Sequence, residues 1–510
     1  MARGLFCISV SDLSASNFLR KAAEACAKAS AVELRFDGLE PSELSKAVEG
    51  LADLRSNYDG ILIGTLRSSG DGQGGFRKVS SYEIEAFWSD PRLKASIDRV
   101  DAGPDELPDP PPEYKQIIRS FHSFEGVPEE VELATIRTKL LSAGSDPSRN
   151  IAKIACTPSD IAESLPVWRM LEGSGDTIPI AMGEFGIWTR VLGPAFGSAI
   201  GYSSPAEGPE SAPGQVPSDD LTKVYRADSI TEATGIYGIA GLPVSHSLSP
   251  FIHNAAFQEV SIDSVYLPLA VRDVSEFYRT MVSSDTRSIE WNLRGFSVTH
   301  PHKTEIARLV DRLEADAQAI GAVNTVKIEN GSTVGSNTDA EGFLAALRSK
   351  IGDPEGASVG IIGSGGAARA AIFALSKARA RTVVFSRDTA KATPALQRFG
   401  AAVRLLDREP ASFKGLDVLV NASPVGSSGE LADISPVPVE SLKNLQLAFD
   451  IVYNPIRTRF LRDAEEAGIP TIGGLEMLIE QAALQFRIWT GREAPKNVMR
   501  KAAESRIRSL

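Results

Sequence analysis

Residues 211–241, SAPGQVPSDDLTKVYRADSITEATGIYGIAG, divide the chain. To their left, short apolar strands alternate with helices and close on Ser-Ala-Pro-Gly-Gln. To their right a new apolar strand, 235–241, opens a second alternating series. The polar, Asp- and Thr-rich residues between lack strong periodicity, as a short inter-domain connection does. The reading is a first domain over 1–218, a connection over 219–234 and a second part over 235–510.

At 510 residues the chain is too long for one core. A net charge of −11 argues against a general nucleic-acid or anionic-membrane surface. Any anionic ligand must then be captured by local Arg or Lys. Cys7, Cys26 and Cys156 are scattered without metal spacing, which points to a reduced cytoplasmic compartment and to no metal site. The start, MARGLFCISV, runs straight into a strand pattern, with no leader segment and no apolar run of membrane-spanning length. A soluble cytoplasmic protein without nucleic-acid or membrane partners is expected; oligomeric state is not legible.

In the first part, β-branched apolar runs recur at 5–10, 31–37, 60–67, 96–101, 116–122, 150–155, 178–183 and 197–203. Helical patterns at 14–30, 42–55, 128–143 and 158–172 separate most of them. Eight such units in about 215 residues indicate a (β/α)8 barrel. After the fourth strand comes DAGPDELPDPPPEY, where proline forbids an amphipathic helix. The fourth outer helix is therefore expected to be missing or vestigial, leaving a flank for another surface, such as the second domain, to cover.

Barrel chemistry lies at the C-terminal ends of strands. Glu33, Arg35, Arg67, His122, Lys153 and Arg190 stand there. Lys153 sits inside an apolar strand (IAKIA), where an ammonium is expensive to bury. Desolvation and neighbouring cations such as Arg35 and Arg67 favour a neutral, nucleophilic amine; an ordinary ion pair with Glu33 explains the same lysine. His122, one strand away, tips the balance towards an imine-forming lysine with an imidazole to move protons.

The segments VELRFDGL, GTLRSSGDGQGG, IIRSFHSFEGVP, NIAKIACTP, AMGEFGIWTRVLGPAFGSAIGY and SAPGQ together resemble type I 3-dehydroquinate dehydratase. The resemblance implies that Lys153 forms an imine with the C3 ketone of 3-dehydroquinate and that His122 is the general acid/base. It implies that Glu33, Arg35, Arg67, Arg190, Ser211 and Gln215 hold the hydroxyls and carboxylate, with Arg190 on the carboxylate. Ser9 is a further, weaker match. Where the family carries Glu, this chain has Asp71, a shorter side chain in the role of orienting His122.

The second part opens GIYGIAGLPVSHSLSPFIHNAAF. Ser247 and Ser249 lie two apart before a helix-starting proline; they suit a polyhydroxylated or carboxylate ligand, or simply cap the helix. GFSVTHPHKTEI brings Lys303, GAVNTV brings Asn324, and VGSNTDAEGF brings Asn337 and Asp339. A Lys and an Asp meeting at a cleft make a proton-transfer pair, or a surface ion pair. SVGIIGSGGAARAAIFAL is strand, glycine turn and helix; Gly363, Gly365 and Ala368 fit the dinucleotide fingerprint, with Gly366 and Ala367 in the same turn. The following strand ends at Ser386-Arg387-Asp388, with Lys391 beyond. A hydroxyl and a guanidinium where NAD sites place an acid favour NADP(H), and Asp388 is the one discordant charge.

With LDVLVNASPVG, LAFDIVYNPIRTRFL and GIPTIGGLEMLIEQAALQFRIWTG, these runs resemble shikimate dehydrogenase over 235–510. The resemblance implies a two-lobed α/β unit: a substrate lobe of 235–340 plus about 474–507, and a Rossmann-type NADP lobe of 350–455. It makes Lys303 and Asp339 the catalytic pair. It places Ser247, Ser249, Thr299, Asn324, Asp339, Tyr453 and Gln481 on shikimate or 3-dehydroshikimate, and Asn421, Ala422, Ser423, Gly474 and Met477 beside the nicotinamide. Joined, the halves imply a fusion that dehydrates 3-dehydroquinate to 3-dehydroshikimate and reduces it to shikimate with NADPH. A quinate-using second half and a non-catalytic metabolite sensor built from the same domains are the rival readings. The joint presence of Lys153, His122, Lys303 and Asp339 weighs against the sensor.

Overall fold

Eight short strands, buried along most of their length, build the first sheet of the computed structural model, which describes residues 5–69, 75–103, 105–172, 175–206, 212–407 and 409–509. They are β1 (Leu5–Val10), β2 (Ala31–Arg35), β3 (Ile61–Thr65), β4 (Arg99–Ala102), β5 (Gln116–Ser123), β6 (Asn150–Cys156), β7 (Thr177–Ala181) and β8 (Ile200–Ser203). The order is β7-β6-β5-β4-β3-β2-β1-β8. Cys7 of β1 lies opposite both Ala31 and Tyr202. The Ala199 N–H donates to the Thr177 carbonyl at 3.0 Å across the remaining gap, so the barrel nearly closes. Side chains alternate in and out along each strand. Cys7, Ile63, Ile118, Ile151, Ile178 and Ile200 fill the interior, while Phe18, Leu34, Leu51 and Trp88 pack between strands and helices.

No helix follows β4 among the described residues, as the proline run requires. Carbonyls that a helix would satisfy internally are met by two arginines instead. Arg119 donates to the Leu107 and Pro108 carbonyls at 2.5 and 2.7 Å, and Arg149 to those of Pro111 and Tyr114 at 3.2 and 3.0 Å. The expectation that the second half covers this flank is corrected. It packs on the opposite side, against the segments that follow β6 and β7, because that is where large aromatic residues lie: Trp168 and Trp188 share one buried cluster with Trp291, Val265 and Leu267. The Trp188 and Trp291 rings meet edge to face at 5.4 Å. The Asp160 carboxylate accepts from the backbone N–H groups of Arg272 and Asp273 at 2.6 and 3.0 Å. The connection itself is packed: Leu221, Tyr225, Ala227 and Ile230 are buried in the same cluster, an apolar spacing that its polar composition hides.

The second half carries two further sheets. The first holds β9 (Gly235–Gly241), β10 (Ser264–Ala270), β11 (Leu293–Val298), β12 (Arg312–Leu313), β13 (Thr325–Glu329) and β14 (Ser332–Ser336), in the order β10-β9-β11-β13-β14-β12. The second holds β15 (Ser358–Ile362), β16 (Arg381–Ser386), β17 (Ala402–Leu405), β18 (Val418–Asn421), β19 (Leu447–Asp450) and β20 (Thr471–Ile472). Its order, β17-β16-β15-β18-β19-β20, is all parallel. That is the dinucleotide-binding order, with the crevice beyond β15 where the strand sequence reverses. Helix Asp339–Ile351 links the lobes and packs on helix Gly474–Thr490. They approach so closely at Gly342 that a Cβ there would lie 2.8 Å from the Gln481 backbone nitrogen.

Truncating Trp291 removes the aromatic seam between the halves, and a buried Trp→Ala change costs about 3–5 kcal/mol. Calorimetry of Trp291→Ala should therefore show a lowered and divided unfolding transition where the parent chain shows one. Two separate transitions already in the parent would contradict a mechanically coupled seam.

Candidate active sites

Inside the barrel, alternation directs Ser9, Glu33, Arg35, Thr65, Asp101, Ser120 and Lys153 to the interior. Lys153 contacts Asp101 at 2.8 Å and Glu33 at 3.7 Å, and its ammonium lies 4.2 Å from the centre of the Tyr202 ring. Glu33 also accepts from Ser9 and, at 2.8 Å, from Thr65. Asp101 pairs with Arg67 and accepts from Ser120 at 2.5 Å. Burial alone raises a carboxyl's pKa, but the surrounding Lys153, Arg67 and Arg35 cations hold Asp101 and Glu33 below the ordinary range. Arg35 pairs with Asp37 at 2.7 Å and lies under Phe76.

His122 sits one layer above Lys153: Ser120 is the register partner of Lys153, and His122 follows on the same face. The Arg67 Nη1 lies 3.1 Å from each of its ring nitrogens. A guanidinium can only donate, so the ring presents a lone pair and is neutral. Burial first, then the Arg67 and Lys153 charges, push its pKa well below the usual value. Phe124 stacks on its other side at 5.9 Å. Arg190, in helix Ile187–Leu192, donates to the Pro213 carbonyl at 3.0 Å, and Gln215 is buried on the same closing segment. Asp71 and Ser211 lie outside the described residues.

In the second half, a cavity of ≈ 300 Å³ brings together Ser247, Ser249, Thr299, Lys303, Asn324, Asp339, Tyr453 and Gln481, with Ala367, Gly474 and Met477 on its dinucleotide side. Lys303 follows β11, and Asp339 starts helix Asp339–Ile351, whose N-terminal dipole favours an anion. Their contact is 2.5 Å. The Asn324 amide donates to the other Asp339 oxygen at 2.8 Å, leaving the carboxylate held from two sides.

The dinucleotide turn has the room a pyrophosphate needs. Gly363 has φ +112°, and a Cβ there would meet the Ala422 carbonyl at 2.8 Å. Cβ atoms at Gly365 and Gly366 would meet nothing, so the helix N-terminus is open to a phosphate. At the end of β16 the Ser386 side chain is buried and Arg387 exposed, as is Lys391. Asp388 is engaged as the N-cap of helix Thr389–Leu396, accepting from the Lys391 N–H at 3.0 Å. It is a capping residue, which removes its discord with an NADP site. Asn421 is fully buried, and its amide donates to the Val425 carbonyl and Asp450 at 2.9 and 3.0 Å. Ala422 and Ser423, half-buried, follow at the end of β18, beside Gly363 of the dinucleotide turn.

Sequence reasoning missed Asp101, the acid that pairs Lys153; its one signal was an aspartate ending an apolar strand (RVDA). It also missed Tyr202, and the buried residues Ser297, Gln485 and His253 behind the second cavity, which read as ordinary core.

The fold and these constellations define a barrel with a buried lysine between two carboxylates, joined to a two-lobed α/β unit with a dinucleotide-binding lobe. The type I 3-dehydroquinase family matches residues 6–232. The shikimate dehydrogenase substrate binding domain matches 239–326, and the shikimate 5'-dehydrogenase C-terminal domain 474–504. A shikimate dehydrogenase (NADP(+)) of Methanococcus maripaludis is 39% identical over 55% of this chain and 100% of its own length. A chloroplastic bifunctional 3-dehydroquinate dehydratase/shikimate dehydrogenase of Arabidopsis thaliana is 34% identical over 76% of this chain. The match spans 65% of that plant protein's length. A crystal structure of shikimate dehydrogenase in complex with NADP+ superposes with a TM-score of 0.51, at 36% identity, over 55% of this chain and 97% of that one. The chain belongs to the shikimate dehydrogenase family and carries, ahead of that unit, a type I 3-dehydroquinase domain. No helix among the described residues is long and apolar enough to cross a membrane.

One half-buried and one fully buried histidine set an acid limit on stability. His122 and His253 are both depressed by burial, His253 to about 3. The unfolded chain takes up a proton at each near pH 6.5; the folded chain refuses it, so stability falls as pH drops below that value. Asp450, raised by burial to about 6, acts in the opposite sense. His253→Phe should therefore cancel about 2 kcal/mol of the loss between pH 7 and pH 5, read from urea midpoints. An unchanged pH dependence would place a charged ring in the folded protein.

Proposed function

We propose that the two sites act in sequence: the barrel (1–218) dehydrates 3-dehydroquinate, and the second half (235–510), reached through 219–234, reduces the resulting 3-dehydroshikimate with NADPH. One observation supports this above others: each half holds a lysine against an aspartate, Lys153–Asp101 at 2.8 Å and Lys303–Asp339 at 2.5 Å.

In the barrel, Asp101 and Glu33 hold the Lys153 amine until the C3 carbonyl arrives. The amine adds, water leaves, and an imine forms. The imine draws electrons from the adjacent carbon, whose proton passes to the neutral His122 ring. The neighbouring C–O bond then breaks, His122 returns the proton to the departing hydroxyl as water, and hydrolysis of the imine restores Lys153. Arg190 takes the substrate carboxylate, with Arg35, Arg67, Ser9, Ser211 and Gln215 on the remaining oxygens and Asp71 beside His122. In the second half, Ser247, Ser249, Thr299, Asn324, Tyr453 and Gln481 orient the ketone. Lys303 gives the proton to its oxygen, and Asp339 holds Lys303 in place. NADPH, when bound, supplies the hydride. Gly363, Gly365, Gly366 and Ala367 receive its pyrophosphate, Ser386, Arg387 and Lys391 its 2′-phosphate, and Gly474 and Met477 its nicotinamide end. The three cysteines are free thiols, which fits a reducing compartment such as the cytoplasm.

Borohydride added during incubation with 3-dehydroquinate should leave a reduced adduct on the Lys153 peptide by mass spectrometry, absent in Lys153→Ala. A fully active enzyme with no adduct would reject the imine. Arg387→Ala removes a charge-assisted contact of about 1.5–3 kcal/mol, raising KM for NADP+ about ten- to hundredfold with KM for shikimate unchanged. An unchanged KM for NADP+ would move the 2′-phosphate elsewhere.

A further inference from the structure

Behind the second cavity lies a directed chain of buried hydrogen bonds that the mechanism above does not use. The Tyr266 hydroxyl donates to Ser297 at 2.6 Å, and the Ser297 hydroxyl donates to Gln485 Oε1 at 3.0 Å. His253 Nε2 lies 3.3 Å from the same oxygen, and its ring stacks on Tyr266 at 4.5 Å. Ser249, Ser297 and Gln485 line the cavity; His253 is fully buried one helical turn beyond Ser249.

The orientation of the Gln485 amide follows from its far end. That end is 3.4 Å from the Asn324 carbonyl, which can only accept, so it must be the NH2 group. The near end is then the oxygen, an acceptor, and both Ser297 and His253 must donate to it. His253 is thereby a neutral ring with its proton on Nε2. Its Nδ1 has no partner; as a bare lone pair this is tolerable, whereas the other tautomer would bury an unpaired N–H.

We propose that His253 is a positioning residue for the substrate cavity: its Nε2–H locks the Gln485 amide so that the NH2 end faces Asn324 and the cavity as a donor. This rests on the reading of that cavity as the shikimate site. Without the lock the amide can turn over, set an oxygen against the Asn324 carbonyl, and present an acceptor to a carboxylated, hydroxylated substrate. The effect belongs to substrate recognition; the dinucleotide side does not feel it.

The test compares His253→Phe, which keeps a ring on Tyr266 but loses the donor, with His253→Gln, whose side-chain amide restores one. His253→Phe should raise KM for shikimate about tenfold or more, equivalent to the loss of about 1.4 kcal/mol of binding. KM for NADP+ should be unchanged, and His253→Gln should recover most of the loss. Equal changes in both KM values, no change in either, or no recovery in His253→Gln would overturn the proposal. Ring 15N NMR of the parent protein provides an independent check: protonated Nε2 and bare Nδ1 near pH 7 are required, and a protonated Nδ1 would overturn the lock even if the variants fail to fold. A parent enzyme inactive on shikimate would overturn the cavity assignment and, with it, the proposed role in recognition, while the NMR result still judges the tautomer.

Discussion

The ion pair between Lys153 and Asp101 governs the first half of this protein. Two charges are taken out of water inside a barrel, and such a pair persists only when every remaining donor and acceptor is met. Ser120 and Arg67 complete Asp101, while Ser9 and Thr65 complete Glu33. Arg67 then reaches His122 and keeps it from being protonated. One cluster thus joins Lys153 to His122, because the charges around the ion pair also act on the ring above it.

The second half uses the same two residue types differently. Lys303 is more exposed than Lys153, with side-chain exposures of 24% and 9%. Its aspartate is held by a helix N-terminus and the Asn324 amide rather than by buried cations. Lys303 thus stays nearer to water. Lys153 is set deeper, between the Asp101 and Glu33 carboxylates.

Much of this was legible in the sequence. The eight strands, the absent helix and the glycine turn follow from local pattern and spacing, while the pairing of Lys303 with Asp339 followed from the family resemblance. Asp388 became clear only when the helix it caps was seen. Partners brought together from distant strands were not legible: nothing local to RVDA says that Asp101 meets Lys153, and nothing in SPFIHNAAF says which amide His253 touches. The seam was misjudged for a related reason. Its polar composition reads as a short inter-domain connection, and the few apolar residues Leu221, Tyr225 and Ile230 decide its burial. Which flank of the barrel the second half covers depends on the shape of Trp168, Trp188 and Trp291 together.

The most direct measurement is NADPH oxidation by the purified protein given 3-dehydroquinate as its only carbon substrate. Two sites working in order predict steady loss of NADPH. With Lys153→Ala, loss should occur only when 3-dehydroshikimate is supplied; with Asp339→Ala, dehydroshikimate should accumulate without oxidation. A parent protein that consumes no NADPH from either substrate would contradict the account.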